Sequence, residues 1–93
     1  PPTYYGEDSR VAESLIADGC IIEGHVENSI IFRGVNVAKG AVVKNCIIMQ
    51  DGRIMAGANL RYIMADKDVV ISEDAMLAGL DTYPVAIAKS AVI

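Results

Sequence analysis

The sequence predicts an all-β protein, a single-stranded parallel β-helix of hexapeptide repeats with about four to five triangular coils. Two observations predict it. A unit made of a turn residue, a small or aliphatic residue, any residue and a large aliphatic residue recurs along the chain, mostly at six-residue steps. The apolar fraction of 53% includes four Tyr, one Phe and no Trp, so the core must consist mainly of layered aliphatic side chains.

The repeated unit has a simple physical basis. Residues separated by one position point to the same side of a strand, so the second and fourth members of each unit face inward. The first member turns the chain, which favours Gly, Asp or Asn because these residues tolerate a positive φ. Units of this kind occupy residues 19–22, 34–37, 40–43, 57–60, 68–71, 74–77, 84–87 and 90–93. This register places Val35, Val37, Ala41, Val43 and Ile48 in the core.

A longer repeat groups these units into coils. Four similar segments begin at Glu13, Asn28, Asn45 and Arg61, at separations of 15, 17 and 16 residues. Three strands per coil form a triangular prism, and successive coils stack about 4.8 Å apart. One coil cannot bury its inner side alone, whereas four or five stacked coils build a continuous core.

The domain boundaries follow from this register. Residues 1–12 are predicted to be a connector from an N-terminal domain, and residues 13–93 to form the β-helix. The step between units stretches near the C-terminus, so Ala78 to Tyr83 is expected to form a projecting loop. An ordinary β-sandwich is the alternative fold, but its irregular loops would not preserve the spacing of turn residues over so many units.

Composition excludes several classes of function. The net charge of −4 argues against a nucleic-acid or anionic-membrane surface, both of which need clustered basic residues. No apolar run reaches the roughly 18 residues of a membrane span, and the polar N-terminus does not resemble a signal peptide. Two cysteines are too few for a disulfide framework, so a cytoplasmic protein is expected.

The residues also resemble a known family. Residues 1–5 (PPTYY), 14–24, 28–35 (NSIIFRGV) and 66–71 (DKDVVI) resemble the C-terminal domain of bacterial glucose-1-phosphate adenylyltransferase, or ADP-glucose pyrophosphorylase. The likeness is to its regulatory-type subunit in glycogen biosynthesis, and it covers essentially the whole chain. The resemblance implies a left-handed β-helix, an exception to the right-handed rule for parallel crossovers.

The same resemblance implies a function for the parent protein. That protein would be a nucleotidyltransferase that makes ADP-glucose and pyrophosphate from ATP and glucose 1-phosphate. The family's chemistry lies in an N-terminal α/β domain with a Gly-rich phosphate loop, which nothing in this chain matches. No catalytic residue, cofactor or metal site is therefore expected here. The implied partners are the parent's own N-terminal domain, other subunits and a phosphate-type effector.

Three side chains are candidates for chemistry. His25 is the only histidine, and hexapeptide acyltransferases use a histidine as general base. A lone histidine at a turn is more often a solvent-facing residue. Cys20 and Cys46 both fall on inward positions, where a thiol behaves as a small inert hydrophobe.

Three basic residues are candidates for binding an anionic effector. The register stacks Arg33, Gln50 and Lys67 on one corner of the prism, with Arg33 and Lys67 about 10 Å apart across two coil steps. Arg61 lies on another corner. Asp51, Asp66 and Asp68 neighbour the Arg33 and Lys67 stack, so a solvated face with salt bridges is the competing interpretation.

One outer face is predicted to be apolar. Its large outward residues are expected to be Leu15, Ile30, Phe32, Ile47, Met49 and Ile63. Such a stack would exceed the few hundred Å² of apolar surface that soluble monomers usually expose. We therefore expect this face to be buried against an N-terminal domain or a second subunit.

Two other functions remain open. One is a hexapeptide-repeat acyltransferase acting as a trimer, and the other is the same domain in a nucleotidyltransferase for a different sugar phosphate. The region upstream of Pro1 separates them, because a nucleotidyltransferase domain there would exclude the acyltransferase.

Overall fold

The computed structural model describes all 93 residues and contains fifteen short strands and no helix, hence no helix that could span a membrane. The strands are β1 (Tyr4–Tyr5), β2 (Arg10–Ala12), β3 (Leu15–Ile16), β4 (Ile21–Ile22), β5 (His25–Glu27), β6 (Ile30–Ile31), β7 (Asn36–Val37), β8 (Val42–Lys44), β9 (Ile47–Ile48), β10 (Arg53–Ile54), β11 (Asn59–Arg61), β12 (Ile63–Ala65), β13 (Val70–Ile71), β14 (Met76–Ala78) and β15 (Val85–Ile87).

These strands form three parallel sheets of five strands each. The first sheet has the order β1-β4-β7-β10-β13, the second β14-β11-β8-β5-β2 and the third β15-β12-β9-β6-β3. Three consecutive strands therefore make one coil, and each sheet receives one strand from every coil. A sixth coil begins at Val92, which forms a parallel bridge with Val70. The predicted all-β solenoid of hexapeptide repeats is confirmed.

The core is a single column of aliphatic side chains inside the prism. Eighteen buried hydrophobic residues form one cluster. Val35, Val37, Ala41, Val43 and Ile48 all belong to it, each no more than 1% exposed, as the repeat register predicted. Two inward residues in each repeated unit are enough to fill the interior, because side chains of the neighbouring coils pack above and below them.

The corners are formed by residues with positive φ. Glu13, Asn28, Asn45 and Tyr62 stack on the corner between the second and third sheets, with φ between 47° and 56°. Asn28 and Asn45 are joined by a side-chain hydrogen bond. Asn45 and Tyr62 are 17 residues apart, the same spacing as between Asn28 and Asn45.

This corner corrects one sequence prediction. The fourth coil was expected to repeat from Arg61, which would turn Ile63 outward. Because Tyr62 occupies the corner, Ile63 is the next inward residue and is fully buried, and Met64 points outward with 44% exposure. Tyr rarely adopts a positive φ. The sequence-based prediction therefore placed this corner at Arg61, one residue before the Tyr62 corner of the structure.

The N-terminal boundary also differs from the expectation. Strands β1 and β2 lie within residues 1–12, yet β1 pairs with β4 and β2 pairs with β5 in parallel register. The first coil therefore begins at Tyr4, and the boundary after residue 12 is wrong. The projecting loop is close to its expected place: β14 continues through Ala78, and Leu80 and Tyr83 then form an antiparallel bridge.

One coil is shorter than the others. Two residues, Glu23 and Gly24, connect β4 to β5, whereas four connect the equivalent strands in every other coil. Gly24 consequently lies against the turn of the third coil that connects β7 to β8. A Cβ added to Gly24 would meet the carbonyl oxygens of Ala38 and Ala41 at 2.6 Å. Only glycine fits under this turn.

Candidate functional site

The outer side of the third sheet is an apolar surface, hereafter the apolar face. Its first row runs along the strand register and is followed by a second row two residues further on. The rows are Leu15, Ile30, Ile47, Met64 and Ala86, then Ala17, Phe32, Met49, Asp66 and Ala88. Asp66 is the only charged residue among the ten. The face runs along the whole solenoid because every coil contributes one strand to the third sheet.

The apolar face is open to solvent in the monomer. Leu15 is 69% exposed, and Ile30 and Met64 are 40% and 44% exposed. The other predicted interface residues, Phe32, Ile47 and Met49, are partly exposed on the same face. Five of the six predicted residues are thus brought together, and Ile63 is replaced by Met64. A strict 17-residue step from Ile30 through Ile47 would have found Met64 in the sequence.

The face is not flat. A depression of about 160 Å³ extends from the third to the fifth coil, lined by Ile47, Met49, Met64, Ala65, Asp66, Ala86 and Ile87. It exists because the outward residue of the fifth coil is Ala86 rather than a large aliphatic residue. At roughly 30 Å³ per water it would hold about five waters, or one large apolar side chain.

The three basic residues predicted to bind an anion lie on two corners of the prism, as the register predicted. Arg33 and Lys67 occupy equivalent corner positions two coils apart, as the register predicted, since each immediately precedes a corner between the third and first sheets. Arg61 instead ends β11 in register with Lys44, at a different corner of the prism. All three side chains are exposed, and none forms an ion pair within 4.0 Å.

His25 borders a notch created by the short coil. The notch is lined by Asp8, Arg10, Glu23, Gly24, His25, Lys39, Gly40, Ala41 and Val42, and a Lys39–Asp8 ion pair of 3.1 Å joins the turns on either side. The only acidic neighbour of His25 within 4.0 Å is Glu27, at 3.6 Å. No group of three His, Cys, Asp or Glu side chains that could hold a metal ion is present.

Both cysteines are buried and free, on the inward positions predicted for them. Hydrogen bonds connect Cys46 to the equivalent residues of the two preceding coils. The backbone amide of Cys46 donates to the Ser29 hydroxyl at 3.0 Å, and the backbone amide of Ser29 donates to the Ser14 hydroxyl at 3.0 Å. Burial raises the pKa of the Cys46 thiol above its usual value of 9.0. A buried thiol with a raised pKa is a poor nucleophile.

We expect the Cys46 thiol to resist alkylation until the chain unfolds. Because its folded pKa is raised, its contribution to stability is complete below the unfolded pKa near 9.0 and is lost as pH rises through the folded pKa. Urea melts of the native chain and of Cys46→Ser, compared between neutral pH and a pH above 9.0, measure this. The Ser variant cannot ionise and should lose less stability at alkaline pH. Rapid labelling of the native thiol would contradict the expectation.

Comparison with known proteins agrees with this geometry. Residues 3–84 match a family described as GlmU-like, C-terminal hexapeptide. The chain is 47% identical over 92 residues to the glycogen biosynthesis protein GlgD of Bacillus subtilis (strain 168), covering 99% of this chain and 27% of that protein. It is 35% identical over 77 residues to a glucose-1-phosphate adenylyltransferase of Bacillus cereus (strain Q1), covering 83% of this chain and 20% of that protein.

A glucose-1-phosphate adenylyltransferase of Clostridium perfringens (strain SM101 / Type A) is 46% identical over 54 residues, covering 58% of this chain and 14% of that protein. The chain therefore spans about a quarter or less of the length of these relatives. The matches confirm the expected resemblance to glucose-1-phosphate adenylyltransferases and glycogen biosynthesis proteins. With residues 3–84 matched and a three-sided solenoid whose turns recur mostly at six-residue steps, the chain belongs to the GlmU-like C-terminal hexapeptide family.

Proposed function

We propose that this chain is a non-catalytic assembly and regulatory domain of a glucose-1-phosphate adenylyltransferase-type protein. The parent protein would act in the cytoplasm, converting ATP and glucose 1-phosphate to ADP-glucose and pyrophosphate for glycogen synthesis. The β-helix would hold the parent's N-terminal domain and its other subunits in position. The chemistry itself would lie outside these 93 residues.

The apolar face is the observation that carries the proposal. A stack of large aliphatic side chains open to water costs free energy that burial against a partner recovers, at about 25 cal/mol per Å². The face is presented on a rigid, regular scaffold, which suits assembly. The glycogen biosynthesis relatives are several times longer than the matched segment, so they contain other regions for this surface to contact.

The regulatory part of the proposal rests on the exposed basic residues. Arg33 and Lys67 present unpaired cations about 10 Å apart across two coil steps, and such a pair can contact one phosphate-type effector. Asp51, Asp66 and Asp68 next to them weaken that attraction. The role of Arg61 would be separate, because it lies on another corner. Binding of inorganic phosphate that weakens in Arg33→Gln with Lys67→Gln would support an effector contact.

We expect the 93-residue chain to make no ADP-glucose from ATP and glucose 1-phosphate, and no acyl transfer from acetyl-CoA. The physical reason is that the only histidine is half-buried with Glu27 as its one acidic neighbour, and both thiols are buried. Coupled pyrophosphate release and thiol release from acetyl-CoA measure the two reactions, with His25→Ala as the matched variant.

Turnover of acetyl-CoA that disappears in His25→Ala would overturn the proposal and favour the acyltransferase. Adding the rest of the parent protein in trans completes the test, with several sugar phosphates offered as substrates. Activity with a sugar phosphate other than glucose 1-phosphate would retain the domain's role and change the substrate.

A further inference from the structure

We propose that the corner between the second and third sheets binds a neutral oligosaccharide. The site is a groove of about 490 Å³ that follows Asn28, Asn45 and Tyr62 along the solenoid, hereafter the corner groove. Its volume lies within the roughly 300–1,000 Å³ of small-molecule sites. This inference goes beyond the proposed function, which assigns no ligand to this corner.

The polar side of the corner groove is formed by a column of side-chain amides. Asn28 donates a side-chain hydrogen bond to the amide oxygen of Asn45. This bond leaves the NH2 group of Asn45 and the amide oxygen of Asn28 without a side-chain partner. Donors and acceptors therefore alternate along the column. Such a column matches neighbouring sugar hydroxyls, because each hydroxyl group both donates and accepts a hydrogen bond.

The other wall of the corner groove is apolar. It consists of Leu15, Ile30 and Ile47, which are register neighbours in three successive coils. Tyr62 also lines the groove and adds an aromatic ring after the amides. A sugar ring has the same division, because its C–H groups are apolar and its hydroxyl groups are polar. An apolar wall with a few polar groups that fix the orientation is the usual composition of a ligand site.

The charges around the corner groove favour a neutral ligand over an anion. The only charged residues that line it are Glu13 and Asp81, and neither forms an ion pair within 4.0 Å. Lys44 and Arg61 end strands of the second sheet next to this corner, but they do not line the groove. A phosphate-type anion would thus meet two carboxylates, whereas sugar hydroxyls can donate hydrogen bonds to them.

The backbone conformation sets this corner apart from the other two. At the other corners every residue with a positive φ is Gly, Asp or Ser, whereas this corner contains Glu13 and Tyr62. Neither Glu nor Tyr adopts a positive φ readily. Residues held in uncommon backbone conformations cluster at functional sites. The large side chains at this corner are therefore consistent with a binding role.

The projecting loop closes the C-terminal end of the corner groove. Gly79 packs against Tyr62 so closely that an added Cβ would lie 2.6 Å from the Tyr62 carbonyl oxygen. Two backbone hydrogen bonds of 3.1 and 3.0 Å between Leu80 and Tyr83 then fix the loop. Asp81 lies between these two residues and lines the groove. The loop thereby supplies a hydrogen-bond acceptor at the end of the amide column.

Titration of the isotopically labelled 93-residue chain with maltoheptaose, followed by NMR, tests the site. Backbone amide shifts should concentrate on residues 13–15, 28–30 and 45–47, and on Tyr62 and Asp81. We expect a dissociation constant of about 1 mM, because an open groove buries only part of the ligand. Cellohexaose is titrated in parallel, since the groove chemistry recognises hydroxyl-bearing rings rather than one linkage.

Substitution by glycine removes the binding groups without straining the corner, because glycine accepts a positive φ freely. Asn28→Gly with Asn45→Gly should weaken binding by about tenfold or more, and so should Tyr62→Gly. Asp68→Gly is the matched control, because Asp68 has a φ of 59° on another corner. Denaturant midpoints separate lost binding from lost folding. Asn45→Asp, which also tolerates a positive φ, replaces any glycine variant that does not fold.

A cationic peptide is the competing occupant, because the two carboxylates of the groove would attract it. Trilysine and inorganic phosphate are therefore titrated under the same conditions. Glu13→Gln with Asp81→Asn should abolish any trilysine binding and leave oligosaccharide binding within about threefold of the native value, since the neutral amides still accept hydrogen bonds. Tighter binding of trilysine or phosphate than of both oligosaccharides would overturn the inference.

Two further outcomes would overturn it. One is the absence of shifts at oligosaccharide concentrations about tenfold above the expected dissociation constant, and the other is unchanged binding in the glycine variants. Both differ from failure of the proposed function, which would appear as catalytic turnover by the 93-residue chain. Leu15, Ile30 and Ile47 also belong to the apolar face, so a partner there would compete with the ligand, and the titration uses the chain alone.

Discussion

Val37→Asp is expected to remove a large part of the protein's free energy of unfolding. Val37 is completely buried in the middle of the core column, and its register partners Ile22 and Ile54 enclose it from the coils below and above. A carboxylate at this position finds no partner, so the cost is about 4 kcal/mol or more. Domains of this size have only about 5–15 kcal/mol of stability in total.

The matched control is Asn36→Asp, one residue earlier and on the outside of the same strand. Asn36 pairs in register with Arg53, so a new carboxylate there is solvated and faces a cation. We expect a change within about 0.5 kcal/mol. Urea denaturation followed by circular dichroism measures both variants. Equal losses of stability would mean that the inward and outward positions of β7 are assigned wrongly.

Gly24→Ala should produce the second large effect, although it adds only one methyl group. The new Cβ would lie 2.6 Å from two carbonyl oxygens, those of Ala38 and Ala41. These are backbone atoms of a tight turn and cannot rotate away. The turn must shift as a whole, at a cost of about 3 kcal/mol, the upper end of the range for forced overpacking.

Gly19→Ala separates this steric effect from the general cost of replacing a glycine. Gly19 has a φ of 75°, and the nearest atom to an added Cβ is 3.8 Å away. Its substitution should cost only the conformational penalty of about 1–2 kcal/mol. If Gly24→Ala unfolds at the same denaturant midpoint as the native chain, the turn above Gly24 can move to accept the methyl group, and the steric explanation is wrong.

Gly24 also links the fold to the notch beside His25. The connection in the second coil is two residues shorter than in the other coils, so the turns of the first and third coils lie close together. The Lys39–Asp8 ion pair joins these two turns. This pair is exposed and is worth no more than about 1 kcal/mol. The notch is therefore maintained by the length of the connection and by Gly24, rather than by its charged rim.

The sequence by itself determined the architecture. The six-residue unit, with turn residues at its corners and aliphatic residues two apart, specified the three-sided solenoid and the inward set that includes Val35, Val37 and Ala41. It did so because strand alternation and positive φ are local properties of a few neighbouring residues. Five of the six residues that the same register predicted for the apolar face lie on it, and Arg33 and Lys67 lie on one corner as it predicted.

Only the tertiary structure decided where each column of residues begins and ends. Tyr62 adopts a positive φ because the Asn28 and Asn45 corners below it hold the chain in that path, and no local preference of Tyr would predict this. That single corner buries Ile63 and exposes Met64. Likewise β1 and β2 carry too little repeat pattern to be recognised alone, and they become strands because β4 and β5 offer them free hydrogen-bonding edges. Pairing across 15 to 17 residues, rather than local propensity, therefore determines the first coil and the composition of the apolar face.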